Sequence, residues 1–158
     1  AGVAGLVAAQ KAALGKPSHP RIDVDVLAYD AVENRVLWVE CKSYLDSSGV
    51  SVSAFDGTNP KFGERFKVFT DARYREVAAE ALLAQLVQQG LTRPDPSIGY
   101  WLVAGRVAPK SLPALSALFA EQGWVLRDRS WITESLRDLA KMAYDDDVVM
   151  MAAKLLNS

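Results

Sequence analysis

The chain has 158 residues, of which 50% are apolar and 23% charged, and its formal net charge is −1. This length suits one domain, residues 1–158, able to bury a sizeable core, and the composition carries no mark of disorder. The near-neutral balance excludes binding to nucleic acid through bulk positive charge, so affinity of that kind would need a local patch or a second subunit or domain.

Residues 3–14 carry a helical pattern that Gly15 and Pro17 end. Lys11 interrupts this stretch, which therefore reads as a short amphipathic helix rather than a signal peptide. No run reaches the ~18 apolar residues of a membrane span. Ile22–Tyr29 alternates apolar and polar residues, DAVENR supplies a turn, and Val36–Tyr44 alternates again, the pattern of a β-hairpin. Residues 45–61 are rich in Ser, Gly, Asn and Pro and read as a long loop, a feature often tied to function. A helix is expected from Asp71 to Gln89, with Thr70 or Asp71 as its cap, Gly90 at its end, and Ala79, Leu82, Leu83, Leu86 and Val87 as its buried stripe. Ile98–Ala104 reads as a strand covered on both faces, Pro109–Gln122 as helix, Trp124–Arg127 as a short strand, and the rest as two helices separated by Asp145, Asp146 and Asp147. Those three aspartates read as helix caps favoured by the dipole. The fold class is α/β, a mixed sheet flanked by helices.

The single cysteine, Cys41, and the single histidine, His19, exclude an internal disulfide and a Cys/His zinc site. A reducing cytoplasm fits this usage. The chain starts without methionine, as a processed or trimmed chain would. His19 reads as a turn residue, and Cys41 as a strand residue turned into the core.

The hairpin poses the chemical question. Strand side chains alternate, so Asp23 and Asp25 share one face while Ile22, Val24 and Val26 share the other. Trp38, Glu40 and Lys42 likewise share a face, opposite Leu37, Val39 and Cys41. Pairing Tyr29 with Val36 places Asp25 opposite Glu40 and Asp23 opposite Lys42, about 5 Å apart, and the apolar pattern opposes a one-residue slip. Two neighbouring acids need a proton or cation between them. Mg²⁺ prefers oxygen ligands, commonly one or two carboxylates with several waters, and the Cys41 carbonyl could add a third protein oxygen. Lys42 would supply positive charge beside a metal-bound water or a phosphate. Taken alone, Asp25, Glu40 and Lys42 fit a solvated hairpin with cross-strand ion pairs better than a metal site, and it is the apolar strand, with Trp38 on the charged face, and the order of the following elements that reverse the balance. Asp23 could be a second acidic ligand or a partner of Lys42.

Asp25, standing 15 positions before Glu40-Cys41-Lys42 at the end of an apolar strand, resembles the metal-site hairpin of the PD-(D/E)XK nuclease superfamily, the restriction-endonuclease-like fold. The resemblance covers about 23 residues, IDVDVLAYD…VLWVECKSY, and the order of elements to residue 104 is similar to the family's αβββαβ core. It implies a metal-dependent nuclease that hydrolyses phosphodiester bonds, in DNA rather than RNA, with Mg²⁺ (Mn²⁺ as substitute) held by Asp25, Glu40 and the Cys41 carbonyl and water assisted by Lys42. Pro20 does not directly precede Asp25, a departure from the motif, and only Gly15–Arg21 is available for the strand the family places before the aspartate strand. Residues 61–75 interleave Lys61, Arg65, Lys67, Arg73 and Arg75 with Phe62, Phe66, Phe69 and Tyr74, a pattern of phosphate-neutralising and base-stacking groups or of an ordinary helix entry. The rivals to catalysis are a nucleic-acid-binding or structural module of the same fold with a vestigial site, and an unrelated α/β domain with an ordinary salt bridge.

Overall fold

The computed structural model describes residues 2–3, 8–15, 22–142 and 147–156. Two short strands, β1 (Gly2–Val3) and β2 (Ile22–Asp23), pair antiparallel, and α1 (Ala8–Ala13) lies between them in sequence. The main sheet has four strands in the order β3 (Val26–Asp30), β4 (Arg35–Lys42), β5 (Ser97–Ala104) and β6 (Val125–Arg127). The β3–β4 pair is antiparallel, and β4, β5 and β6 run parallel. The strand expected within Gly15–Arg21, and His19, fall largely or wholly on residues 16–21, outside those described.

The hairpin register is the one its alternation predicts, with Tyr29 opposite Val36 and Leu27 opposite Trp38. Its turn closes because the Asp30 carboxylate accepts from the Val32 and Glu33 amides and Asn34 takes a left-handed φ of 49°. The expected single strand Ile22–Tyr29 is instead broken at Val24–Asp25. The break changes which side chains point inward. Ile22 and Val24 are buried before it, whereas Leu27 and Tyr29 pack on the core after it and Val26 is left 48% exposed.

Across the parallel pair, Val36 aligns with Ile98, Trp38 with Tyr100, Glu40 with Leu102 and Lys42 with Ala104. These residues share one face, and Val36, Trp38, Leu102 and Ala104 are buried there. Each large side chain so buried stabilises by about 1.5–3 kcal/mol. The covering layer includes α4 (Ala72–Gln88) and α5 (Leu112–Glu121), which contribute Ala78, Leu82, Leu86, Leu115 and Phe119 to the same core. The α4 stripe is rotated from the expected one: Leu83 and Val87 are only half-buried, while Val77, Ala78 and Ala81 are inside. Asp71 caps α4 by accepting from the Tyr74 amide at 2.9 Å. On the opposite face, Trp131 of α6 (Arg129–Lys141) meets Trp101 with ring centroids 6.4 Å apart. The final helix, α7 (Val148–Leu156), packs on α6 and is capped by Asp147, which accepts from the Val149 and Met150 amides. Asp145 and Asp146 lie outside the described residues.

The segment 45–61 is more ordered than its composition suggests. Val50 bridges to Val107 beside the sheet, and Val50 and Ala54 enter the core. Two single-turn helices follow, α2 (Pro60–Gly63) and α3 (Lys67–Thr70), with Asn59 capping the first through the Phe62 amide. Phe66, between them, lies under Lys42 where β4 finishes, Phe62 meets Tyr44 just beyond that end, and Phe69 packs on Phe119 and Trp124.

Candidate active site at the end of strand β4

Asp25, Glu40 and Lys42 converge. The Lys42 ammonium stands 3.2 Å from Glu40 Oε2 and 3.9 Å from Asp25 Oδ2. Asp25 lies just beyond the last ladder pair, where continuing the register sets it opposite Glu40. It takes no place in the ladder; its carboxylate instead accepts from the Cys41 amide at 2.8 Å. An extended residue directs its N–H and C=O to the same side, so the Cys41 carbonyl leaves the strand on the Asp25 side as well.

Each functional side chain is held from a different direction. Trp38 is 1% exposed, and its indole N–H donates to Glu40 Oε1 at 3.0 Å. That bond satisfies a buried donor and fixes the carboxylate at once. Lys42 lies over the fully buried Phe66 ring, with its ammonium 5.9 Å from the centroid. The Glu40 and Lys42 side chains are only 15% and 22% exposed, while Asp25 is 43% exposed. A solvated cross-strand ion pair would leave all three open to water. This cluster is instead set into the core-facing side of the sheet, with one edge open.

The cluster occupies the carboxyl end of a parallel strand, the position where open α/β sheets bind ligands. Gly105 explains how the end stays compact. Its amide donates to the Lys42 carbonyl at 2.8 Å, and a Cβ there would meet the Ser43 carbonyl at 2.4 Å. Two cavities, of about 430 and 550 Å³, lie elsewhere, one lined in part by Gly63, Lys67 and Asp71 and the other by Leu83, Val87 and Pro94. Asp25, Glu40 and Lys42 line neither.

Cys41 corrects an expectation: it is exposed rather than core-facing. It keeps the Leu37 and Val39 face of β4 that alternation assigns, at the exposed end of the strand. Partial burial of the thiol, then the Asp25 and Glu40 carboxylates, push its pKa above the usual value, against the pull of Lys42. This is the reverse of nucleophile activation.

Asp23 is exposed on β2 and makes no ion pair with Lys42. Its charge acts on Tyr74, on the first turn of α4. Burial first, then the charges of Glu40, Asp23 and Asp71, hold that phenol above its ordinary pKa, opposed by Lys67. Tyr74 is thus a neutral hydroxyl at ordinary pH. Among the described residues no three His, Cys, Asp or Glu side chains form a group able to hold a metal ion.

The five basic residues of 61–75 separate. Lys61 and Arg65 are exposed and have no acidic partner among the described residues. Lys67 pairs with Glu64 at 2.8 Å and Arg73 with Glu76 at 3.7 Å. Arg75 turns inward, as in the helix-entry reading of this segment: it donates to the Val68 and Phe69 carbonyls and stacks 5.0 Å over Trp124. Its guanidinium ties α3 to α4 and is spent on structure.

The Trp38 tether and the Phe66 floor were readable only in part. Trp38 lies on the charged face by alternation, and Phe62 and Phe66 are four apart, as on one helix face, but neither spacing names a partner.

No family model matches this chain, and neither a curated protein nor a solved structure matches it.

Proposed function

We propose that this chain is a metal-dependent nuclease of the PD-(D/E)XK type, hydrolysing phosphodiester bonds in DNA. The observation that carries the reading is the convergence of Asp25, Glu40 and Lys42, half-sheltered at the carboxyl end of β4. The succession of hairpin, helix α4 and parallel strand β5 supports it, being the order expected of the restriction-endonuclease-like core.

The donor set fits Mg²⁺. Two carboxylates and a strand carbonyl offer hard oxygens of suitable number, since this ion typically takes one or two protein carboxylates and completes its shell with water and substrate phosphate. Asp25 and Glu40 would hold it, with the Cys41 carbonyl on the same strand edge. Bound there, the ion would supply Lewis-acid polarisation of a phosphate oxygen and a more acidic water. Lys42 keeps its ammonium beside the reacting phosphate, over Phe66, and stabilises the charge that builds on it. Trp38 prevents Glu40 from rotating away. Lys61 and Arg65 are the cations left to contact phosphates.

A second reading is a nucleic-acid-binding or structural module with a vestigial site. The position of the Lys42 ammonium favours it, because the lysine alone already balances part of the acidic charge. Calorimetric titration with Mg²⁺ and Mn²⁺ separates the two. A nuclease site binds the ion in wild type and loses it in Glu40→Gln; absence of any binding in wild type supports the vestigial module.

A further inference from the structure

We infer that Tyr44 and Phe62 form a base-stacking platform beside the cluster, so that the substrate enters as single-stranded or locally unpaired nucleic acid. This inference rests on the nuclease reading for its location, though not for its test.

Tyr44 lies two residues beyond Lys42, a distance of at most ~7 Å along an extended chain. Its ring stacks on Phe62 with planes 21° apart and centroids separated by 6.3 Å, an offset arrangement. The Arg65 guanidinium lies 5.3 Å from the Phe62 centroid, and Phe62 in turn meets Phe66, the floor under Lys42, at 6.1 Å. Tyr44 and Phe62 are both half-buried, and Arg65 is exposed. The result is a continuous run of ring and cation contacts from Lys42 through Phe66 and Phe62 to Tyr44 and Arg65, in which both outer rings are half-open at the edge of the core and Arg65 is exposed.

The backbone of Tyr44 argues against a mere packing role. Its φ is 42°, in the left-handed region that a bulky residue enters at a cost of about 1 kcal/mol or more. Glycine or asparagine would sit there without that cost. The strain is maintained from both sides. Ser47 donates to the Tyr44 carbonyl from its amide and its hydroxyl, and the Gly105 backbone abuts Ser43 too closely for a Cβ. An aromatic side chain has thus been set at a site suited to a small one, and its position brings the ring next to Phe62.

The chemistry recognised is general. Every nucleobase has a π-face, so a platform of this kind accepts any base, and a nearby arginine takes the adjoining phosphate. A base inside an intact duplex has both faces covered by its neighbours. Only an unpaired base can lie on Tyr44 while its flanking phosphate reaches Lys42.

The test is fluorescence anisotropy with a short labelled oligothymidylate and an abasic strand of equal length, in EDTA so that no metal and no cleavage intervene. Wild type is expected to bind the base-bearing strand about tenfold more tightly than the abasic one. Tyr44→Leu, which keeps apolar bulk, and Phe62→Leu should each abolish that preference, and Tyr44→Phe should retain it. Circular dichroism melts identify any variant that fails to fold, and the remaining variants then decide. Equal binding of both strands by wild type, no binding of either, or a preference that survives Tyr44→Leu would each overturn the platform. A preserved preference without Mg²⁺-dependent cleavage would instead remove the nuclease reading and leave the platform standing.

Discussion

The Asp25 carboxylate accepts a hydrogen bond from the Cys41 amide, 2.8 Å away, at the point where the β3–β4 ladder stops. A side chain here takes over a backbone partner's part, which lets one residue both end a strand and present an acid beside Glu40. The two duties can be separated by substitution. Asp25→Asn keeps an acceptor oxygen, so the fold should lose less than about 1 kcal/mol while affinity for Mn²⁺ falls at least tenfold. Asp25→Ala also leaves the Cys41 amide without its partner and should cost about 1–2 kcal/mol. Urea denaturation and calorimetry of the two variants check both halves.

Two arginines ten residues apart should behave oppositely. Arg75 holds two carbonyls and stacks on Trp124, so Arg75→Ala should destabilise by about 2–3 kcal/mol through lost packing and unsatisfied acceptors. Arg65 is exposed, and Arg65→Ala should leave the urea midpoint within about 0.5 kcal/mol of wild type while weakening binding to single-stranded DNA. The salt dependence of that binding should flatten by about one unit of slope for Arg65→Ala alone.

Acid sensitivity has a defined local source at Asp128. The Ser130 hydroxyl, 2.6 Å away, and the Trp131 and Ser130 amides hold this carboxyl below the usual aspartate range, against partial burial. The folded-state pKa is depressed. The stabilisation is therefore present above the unfolded value of about 3.9 and is lost as pH falls through the folded one. Asp128→Ala should cost about 1 kcal/mol at neutral pH, where the α6 cap is intact in wild type, and much less at about pH 2. Urea midpoints of the pair at the two pH values measure this.

Cys41 is exposed, yet its thiol should be slow. With its pKa raised by partial burial and by Asp25 and Glu40, the thiolate fraction at neutral pH falls below that of an ordinary cysteine. Alkylation by iodoacetamide should lag that of a free cysteine at about pH 7.5 and catch up only above about pH 9. Asp25→Asn removes one of the opposing charges and should speed the reaction.

The hairpin was legible because strand alternation has a period of two. The burial of Val36 and Trp38 fixes the register, and the register alone sets Asp25 opposite Glu40. The same reasoning failed at Cys41, which keeps its place on the Leu37 and Val39 face of an unbroken β4 yet is exposed, because alternation names a residue's face and not whether that face is covered at the strand's end. Arg75 was left open for a different reason. A guanidinium beside aromatics reads equally as a nucleic-acid contact or as a packed cation, and only the fold supplies the Val68 and Phe69 carbonyls that decide it. The segment 45–61 resembles a loop by composition, although Val50 and Ala54 anchor it in the core. The Tyr44–Phe62 stack joins residues far apart in sequence, and no local pattern announces it.

The most direct test is cleavage of a mixed panel of single-stranded, duplex and branched DNA and of RNA, with Mg²⁺ or Mn²⁺, by wild type and Lys42→Ala. Wild type is expected to cut DNA in a metal-dependent way, reduced at least a hundredfold in Lys42→Ala, with both proteins folded. Absence of cutting by wild type across the panel, or equal cutting by Lys42→Ala, would contradict the nuclease reading.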